Sequence, residues 1–261
     1  MLFSHRIDQN NVGDYWSTPF HYYSEYLPKG MTPEKIEIKK IKEKSYTNLS
    51  PLIIGGGGLI GEKKFDAILR NIADYHQSHL KILWGVGDNV SKKGESTDFL
   101  DYIYKYDIVG IRDYIKGHEN IWVPCSSCKS TLFDKYKSVK PKNRIVYFQH
   151  LYKPFPQEII KTKPGPLMTN NGYDLESVIQ FLSTGEFVIT NSYHGAYWAQ
   201  LLGRKVISSS WSTKFLNMKH QVILANPNEW YSKMDLATSY DILEEYRDCN
   251  DKFFKKIVQA L

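Results

Sequence analysis

The chain has 261 residues, 42% hydrophobic and 14% aromatic, which supplies enough apolar material for a packed core and excludes general disorder. Its formal net charge of +6 comes from scattered lysines and arginines, with no zinc-finger, RNP or basic-zipper pattern among them. We therefore expect acidic small molecules or anionic surfaces as partners, and no nucleic acid.

Membrane and redox signals in the sequence are weak. No apolar run approaches the roughly 20 residues of a membrane helix, and the opening "MLFSHRIDQN" is too polar for a secretory signal. We expect a cytoplasmic protein, and contact of its basic surface with the inner face of the membrane is left open.

Cys125 and Cys128 form a CxxC without a second ligand pair at zinc spacing, so reduced loop thiols and no metal site are expected.

Strand and helix patterns alternate along most of the chain, which is typical of an α/β fold with parallel sheets. In chain order they predict a strand at 2–7 and a helix at 14–27, which tolerates Pro19 only if this residue lies within the first turn. Strands at 35–41 and 50–58 come next, followed by a helix at 62–77 and a strand at 81–87. A helix at 95–106 and a strand at 107–113 complete the series. These elements form a predicted N-terminal domain, 1–124.

A polar, lysine-rich stretch, 125–143, predicts a linker or crossover to a second α/β unit. That unit, 144–261, is the predicted C-terminal domain. Its patterns indicate a strand at 144–150, a helix at 175–185, a strand, helix and strand between 187 and 211, and a closing helix at 239–261. The segment from His150 to Tyr173 shows no full βα unit.

Two glycine-containing motifs in the first half favour either turns or a ligand site. In "LIIGGGGLIGE", Gly56, Gly57 and Gly58 follow a strand, where they would let the backbone approach a ligand or supply a tight turn with positive φ. The pattern matches neither a P-loop nor a dinucleotide fingerprint. In "NNVGD", Asp14 either caps the following helix, the better supported interpretation, or faces a cleft as a proton acceptor.

The motif "NSYHG" is the most informative, because it starts a helix directly after an apolar strand. Asn191 or Ser192 can cap that helix, whose free amides and dipole favour a phosphate or carboxylate. His194 in the first turn is disfavoured as an imidazolium unless an anion lies beside it. Ligand binding would then raise its pKa, which suits a phosphate clamp or a general acid.

Two basic residues follow predicted strands and are candidates for the same anion. Lys214, in "WSTKF", comes a few residues after the strand that follows the histidine helix, and Arg112, in "GIRD", ends a strand of the first half. The carboxyl ends of strands line the ligand crevice in open α/β sheets. We therefore expect Lys214 to reach the anion beside His194, with Arg112 facing it across a cleft.

In this order, "NNVGD", "GGGGLI", "GIRD", "NSYHGAYWAQLLGRKVI" and "WSTKF" resemble the polysaccharide pyruvyl transferase family over residues 10–219. The resemblance implies two Rossmann-like domains facing a cleft, similar to the GT-B fold, with the acceptor on the N-terminal side. It also implies transfer of the enolpyruvyl group of phosphoenolpyruvate to two sugar hydroxyls, giving a cyclic ketal and phosphate. The implied acceptor is a saccharide of surface polysaccharide synthesis, either lipid-linked or nucleotide-linked, and no metal or further cofactor is implied.

The resemblance also implies roles for individual residues. His194 would bind phosphoenolpyruvate and donate a proton, and Asp14 would be the base for the acceptor hydroxyl. The implied substrate-binding residues are Asn191, Ser192, Gly195, Lys214, Arg112, Asn11, Gly13, Gly56, Gly57 and Gly58.

The sequence departs from the family pattern in three places. Ser192 stands where many relatives have an arginine two residues before the histidine, which removes one expected phosphate ligand. The chain is short for the family, and "VPCSSC" replaces a common Asp-Pro pair. Two alternatives therefore stay open. One is a nucleotide-sugar glycosyltransferase that would use an acidic residue such as Glu176 or Glu186 on the ribose, and the other is an inactive sugar or phosphate binder.

Overall fold

The computed structural model of the protein describes residues 1–43, 50–90, 99–172, 174–209 and 211–261. It contains two sheets of parallel strands flanked by helices, so the predicted α/β class is confirmed and two Rossmann-like domains are consistent with it. The strands of one sheet lie within residues 2–111 and those of the other within 143–224.

The first sheet has central strands that are buried on both faces and a more exposed edge strand, β2. Its strands are β1 (Leu2–His5), β2 (Glu34–Glu37), β3 (Leu52–Gly55), β4 (Gly58–Ile60), β5 (Lys81–Asp88) and β6 (Ile108–Ile111). Strands β2, β1, β3 and β5 are neighbours in that order, and β5 also pairs with β4 and β6. The apolar run of β3 is completely buried, as expected for a strand covered on both sides.

Helices follow most strands, although several are shorter than the sequence predicts. They are α1 (Val12–Trp16), α2 (Phe20–Tyr23), α3 (Lys63–Tyr75), α4 (Leu100–Ile103), α5 (Leu132–Tyr136), α6 (Gln157–Thr162), α7 (Leu175–Ser183), α8 (Tyr193–Leu201) and α9 (Leu243–Ala260). Short 3-10 helices span Ser24–Tyr26, Ile38–Glu43, Glu119–Ile121, Ser126–Lys129, Thr213–Phe215 and Trp230–Leu236.

Three local predictions need correction. The helix predicted at 14–27 is broken into α1, α2 and a 3-10 turn, because Pro19 lacks an N–H and stands just before α2 instead of inside one helix. The strand predicted at 35–41 ends at Glu37 and continues as a 3-10 helix. Of the helix predicted at 95–106, residues 95–98 lie outside the described part and α4 accounts for four others.

The second sheet contains a unit that the sequence did not predict. Its strands are β7 (Asn143–Gln149), β8 (Leu167–Thr169), β9 (Gly185–Thr190), β10 (Lys205–Ser208) and β11 (Ile223–Leu224), in the order β11-β10-β9-β7-β8 and all parallel. The absence of a full βα unit between His150 and Tyr173 was a wrong prediction, because α6 and β8 form one there, although residue 173 itself is not described. Prolines and lysines in short elements mask the periodicity.

The stretch predicted as a linker, 125–143, is packed rather than exposed over its first half. Cys125, Cys128 and Phe133 of α5 are buried in the core of the second sheet. The closing helix α9 begins in the same core with Leu243 and Tyr246 and then packs on the first sheet, where Asn250 Oδ1 accepts the indole N–H of Trp84 at 2.7 Å. The chain thus returns to its first sheet after completing the second. No described helix is both long and apolar enough to cross a membrane.

Candidate active site

A pocket lies where the carboxyl ends of the two sheets face each other. From the first half it is lined by Arg6 directly after β1, Asn89 directly after β5, Arg112 directly after β6, Gly58 and Leu59 of β4, and Asn11 and Asp14 around α1. From the second half it is lined by His150 directly after β7, Asn170 directly after β8, Ser192, Tyr193 and His194 at the start of α8, and Lys214 after β10. Strand carboxyl ends are the usual ligand position in parallel α/β sheets.

The start of α8 leaves its amides available to a ligand. Ser192 occupies the N-cap position with extended backbone, but its hydroxyl makes no capping hydrogen bond. The Asn191 side chain is engaged elsewhere, since it accepts the His150 N–H at 2.7 Å and donates to the Lys153 carbonyl. The prediction that one of these two side chains caps the helix is therefore wrong. First-turn amides have no intrahelical acceptor, so an anion could take that position.

His194 is held as a neutral ring. It is 6% exposed, its ring lies 5.1 Å from that of Trp198, and its Nε2 lies 3.6 Å from Cys125 Sγ. Burial and the positive charges of Arg112 and Lys214 lower the pKa of His194 well below its ordinary value. An imidazolium can therefore form here only if an anion compensates these charges.

Two glycines of the predicted site make room for other groups instead of lining the pocket. A Cβ atom on Gly13 would lie 2.3 Å from His194 Nδ1, so only glycine lets α1 approach the ring this closely. A Cβ atom on Gly195 would lie 2.4 Å from the Phe148 ring. The structure thus gives both positions a steric requirement, and their predicted contact with substrate stays a prediction.

Gly13→Ala is expected to displace the His194 ring and to reduce activity by about 100-fold, the effect typical of a misplaced catalytic group. Overpacking costs about 1–3 kcal/mol, partly offset by about 1 kcal/mol of improved helix propensity. Thermal unfolding of Gly13→Ala, His194→Ala and the double variant measures the coupling. The Gly13→Ala penalty should disappear in the His194→Ala background, and strict additivity would contradict the steric explanation.

Asn11, and not Asp14, caps α1. Its Oδ1 accepts the N–H groups of Gly13 at 3.2 Å and Asp14 at 3.5 Å, which corrects the predicted capping role of Asp14. The Asp14 carboxylate instead lines the pocket, 3.2 Å from the Arg6 guanidinium and 3.0 Å from the Asn11 amide. Burial raises the pKa of Asp14, although Arg6 and Lys214 oppose this. Asp14 is therefore a pocket carboxylate with enhanced affinity for a proton.

The glycine run forms the predicted tight turn, and its contact with a ligand stays a prediction. Gly56 and Gly57 have φ of +78° and +83°, and a Cβ atom on Gly56 would lie 2.1 Å from the Ser17 carbonyl oxygen. These two residues form the tight turn between β3 and β4. Gly58 lines the pocket, where a Cβ atom would lie 3.1 Å from an Arg112 nitrogen.

Two cations of the pocket, the buried Arg112 and the half-buried Lys214, have no carboxylate ion-pair partner in the part of the chain that the structure describes. Arg112 is 3% exposed, with its guanidinium 3.8 Å from the Tyr193 ring centroid and a single 3.4 Å hydrogen bond to the Asp88 carbonyl. Its Nε has no hydrogen-bond partner among the described residues. Lys214 Nζ lies 4.6 Å from the Trp211 ring centroid, and burial lowers its pKa to about 8. Within the described ranges, neither cation forms an ion pair.

Sequence reasoning missed several pocket residues. Arg6, Asn89 and His150 come directly after strands that the sequence predicts, so the rule that found Arg112 could have found them. Asn170 comes directly after β8, which the sequence did not predict. Burial, with Lys214 and Arg6, lowers the pKa of His150 to about 4. His150 Nδ1 accepts the Tyr152 N–H at 3.2 Å, so Nε2 of this neutral ring carries the hydrogen.

Metal ligands do not cluster in the described part of the chain. No group of three or more histidine, cysteine or carboxylate side chains is close enough there to hold an ion. Cys125 and Cys128 are free thiols buried in the core, not thiols of an exposed loop. The expectation of a reaction without metal stays a prediction.

The fold and the pocket define an α/β protein in which a pocket lined mainly by basic and neutral polar side chains lies between the facing carboxyl ends of two parallel sheets. A sequence model of the polysaccharide pyruvyl transferase family matches residues 2–213, and the chain belongs to this family. A crystal structure of an uncharacterized protein from Klebsiella pneumoniae subsp. pneumoniae NTUH-K2044 is similar at 22% identity and a TM-score of 0.49, covering 80% of this chain and 82% of that one. A search of curated proteins found no match.

Proposed function

We propose that the protein transfers the enolpyruvyl group of phosphoenolpyruvate to two hydroxyls of a saccharide, forming a cyclic ketal and releasing phosphate. Family membership supports a pyruvyl transfer role in polysaccharide biosynthesis. The identity of the donor, phosphoenolpyruvate, and of the product, a cyclic ketal, is what we propose beyond it. One observation carries this proposal. Among the described residues, the buried Arg112 and the half-buried Lys214 have no carboxylate within ion-pair distance, and both line the pocket beside the uncapped start of α8.

Phosphoenolpyruvate matches the charge of this pocket because it carries a phosphate and a carboxylate. Two cations and a helix N-terminus would each gain a charge-assisted hydrogen bond from it. Arg112 and Lys214 both line the pocket, and each would supply a positively charged donor there. Arg6 is already paired with Asp8 at 3.0 Å and Asp14 at 3.2 Å, so its charge is partly neutralised. These contacts compensate for the serine at position 192 in place of arginine.

The proposed chemistry needs one proton acceptor and one proton donor. Protonation of the vinyl methylene makes the neighbouring carbon oxocarbenium-like, and a sugar hydroxyl then adds to it. The second hydroxyl displaces phosphate and closes the ketal, and its proton leaves with the phosphate. We assign proton donation to His194, whose pKa the bound anion would raise, and proton acceptance from the acceptor hydroxyl to Asp14.

The acceptor would enter from the first sheet, where Asn11, Gly58 and Asn89 line the pocket. Amide side chains of this kind bind sugar hydroxyls as both donors and acceptors. A lipid-linked or nucleotide-linked saccharide would suit this position. A cytoplasmic location, with contact at the inner membrane face, stays part of the proposal.

The glycosyltransferase alternative lacks support at the positions it requires. Glu186 lies at the start of β9, at the end of the strand opposite the pocket, and pairs with Lys205 at 3.2 Å. Glu176 pairs with Lys135 at 2.6 Å and accepts the Tyr136 hydroxyl. Neither carboxylate lines the pocket, so neither is placed to bind a ribose there.

Thermal-shift and calorimetric titration with phosphoenolpyruvate tests the proposed donor, with UDP- and GDP-sugars as rivals and His194→Ala as control. Donor at 100 times its dissociation constant should stabilise the native state by about 2.7 kcal/mol. Stabilisation by a nucleotide sugar alone would assign the protein to the glycosyltransferases. No stabilisation by any of them, with candidate acceptors present, would favour the inactive binder.

The affinity for phosphoenolpyruvate is expected to fall above pH 8, by about tenfold per pH unit once Lys214 is neutral. In the ligand-free protein above pH 8, His194 and His150 are already neutral, and Asp113, whose pKa burial raises to about 7, is mostly ionised. Calorimetry between pH 7 and 9.5 measures the slope. Lys214→Met should bind weakly with a flat profile, and an equally steep slope in this variant would assign the titration to another group.

The same lysine predicts the opposite trend for stability without ligand. Its folded pKa of about 8 lies below its ordinary value of 10.5, so the unfolded chain binds more protons between these values. The free energy of unfolding should therefore rise with pH across this window, relative to Lys214→Met.

A further inference from the structure

The CxxC segment has no part in the proposed chemistry, yet one of its thiols contacts the site histidine. Cys125 Sγ lies 3.6 Å from His194 Nε2 and 3.2 Å from Ser127 Oγ. Ser127 Oγ in turn accepts the indole N–H of Trp198 at 2.9 Å. The four groups form a continuous hydrogen-bonded chain in the buried core.

The direction of this chain follows from its first member. An indole nitrogen can only donate, so Ser127 Oγ must accept from Trp198. The Ser127 hydroxyl hydrogen is then free to donate to Cys125 Sγ, its other partner in the described part of the chain. Burial raises the pKa of the Cys125 thiol, so the sulfur keeps its own hydrogen to pass on.

The thiol hydrogen has two acceptors within reach. The Ser17 carbonyl oxygen is 3.9 Å away and already accepts the Ser126 hydroxyl at 3.1 Å, whereas His194 Nε2 is nearer. Donation to Nε2 satisfies a buried nitrogen that has no other partner among the described residues. A neutral imidazole that accepts at Nε2 carries its hydrogen on Nδ1.

We propose that the chain Trp198–Ser127–Cys125 holds His194 as the Nδ1–H tautomer, and that Cys125 is a positioning residue for it. Nδ1 is then the ring nitrogen left for a ligand. It lies next to Gly13, where the Cβ atom of any other residue would contact it at 2.3 Å. With His150 presenting Nε2–H, the pocket offers two neutral N–H donors to an anion. The donor role of His194 rests on the proposed function, but its tautomer does not.

Long-range ¹H–¹⁵N correlation spectra of histidine-labelled protein report the tautomer directly. The chain has eight histidines, and the His194 signals are those missing from His194→Gln. We expect protonated Nδ1 and unprotonated Nε2 in the ligand-free protein near pH 7.5. Cys125→Ser keeps the donor and should keep this pattern, whereas Cys125→Ala should shift the ring toward the Nε2–H form. An Nε2–H ring in the unaltered protein would overturn the proposal.

Cys128→Ala is the matched control, since Cys128 is an equally buried thiol that contacts Asn250 and not His194. It should leave the tautomer unchanged. If Cys125→Ala does not fold, Ser127→Ala interrupts the hydrogen-bonded series one step earlier. This variant should weaken the preference of His194 for the Nδ1–H tautomer. A tautomer unaffected in every folded variant of the chain would also overturn the proposal.

Steady-state kinetics with phosphoenolpyruvate then tests the consequence separately. Loss of one hydrogen bond should lower kcat about three- to tenfold in Cys125→Ala with little change in KM, and Cys125→Ser should restore kcat. Absence of all turnover in the unaltered protein would refute the proposed function, while the spectra would still decide the tautomer.

Discussion

His194→Ala is expected to lower kcat of pyruvyl transfer by about 100- to 10,000-fold, the usual contribution of a positioned general acid. The ring lines the pocket and starts α8, so its removal should leave the sheet core intact. Turnover is measured as phosphate release from phosphoenolpyruvate in the presence of acceptor, and the fold by circular dichroism and thermal unfolding.

His220→Ala is the matched control for this variant. His220 is also a partly buried histidine, but it pairs with Glu245 at 2.9 Å and lies outside the pocket. Its replacement should cost some stability and leave kcat unchanged. Full activity of His194→Ala, or its failure to fold, would refute the catalytic assignment.

Arg112→Met is expected to abolish stabilisation by phosphoenolpyruvate and to leave the ligand-free protein as stable as before, or more stable by about 1–3 kcal/mol. The reason is that this buried guanidinium, which has neither an ion pair nor a partner for Nε among the described residues, costs desolvation free energy that methionine does not. The contact with the Tyr193 ring offsets part of this cost. The dissociation constant should rise by at least about 10- to 100-fold, since charge-assisted hydrogen bonds are lost.

Arg70→Met gives the opposite result if this account is correct. Arg70 is ion-paired with Asp66 and Asp101, each at 2.9 Å, and lies away from the pocket. Its replacement should lower stability slightly and leave donor affinity unchanged. Thermal unfolding with and without phosphoenolpyruvate compares the two variants. Strong destabilisation by Arg112→Met with retained affinity would make Arg112 a structural residue.

Much of the architecture was predictable because parallel strands buried on both faces appear as uninterrupted apolar runs. The runs at β3 and β5 identified two strands, which the structure places side by side, and the amphipathic pattern at 62–77 identified α3. The βα unit containing α6 and β8 was missed, since its elements have six and three residues and carry little periodicity.

The candidate site was predictable where a residue follows a recognised strand. Arg112, His194 and Lys214 were placed together by that rule, and all three line one pocket. Capping could not be assigned in the same way, because Asn11 and Asp14 are three residues apart and either side chain suits a helix start.

The sequence by itself determined the α/β class, the positions of most strands along the chain and the family. These properties depend on local hydrophobic periodicity and on motifs of contiguous residues. Tertiary structure alone decided which cations lack partners and which thiol contacts His194. Such properties depend on residues far apart in the chain, as Cys125 and His194 are, and on how much water their packing excludes. The pKa of Lys214 and the steric need for Gly13 have the same origin.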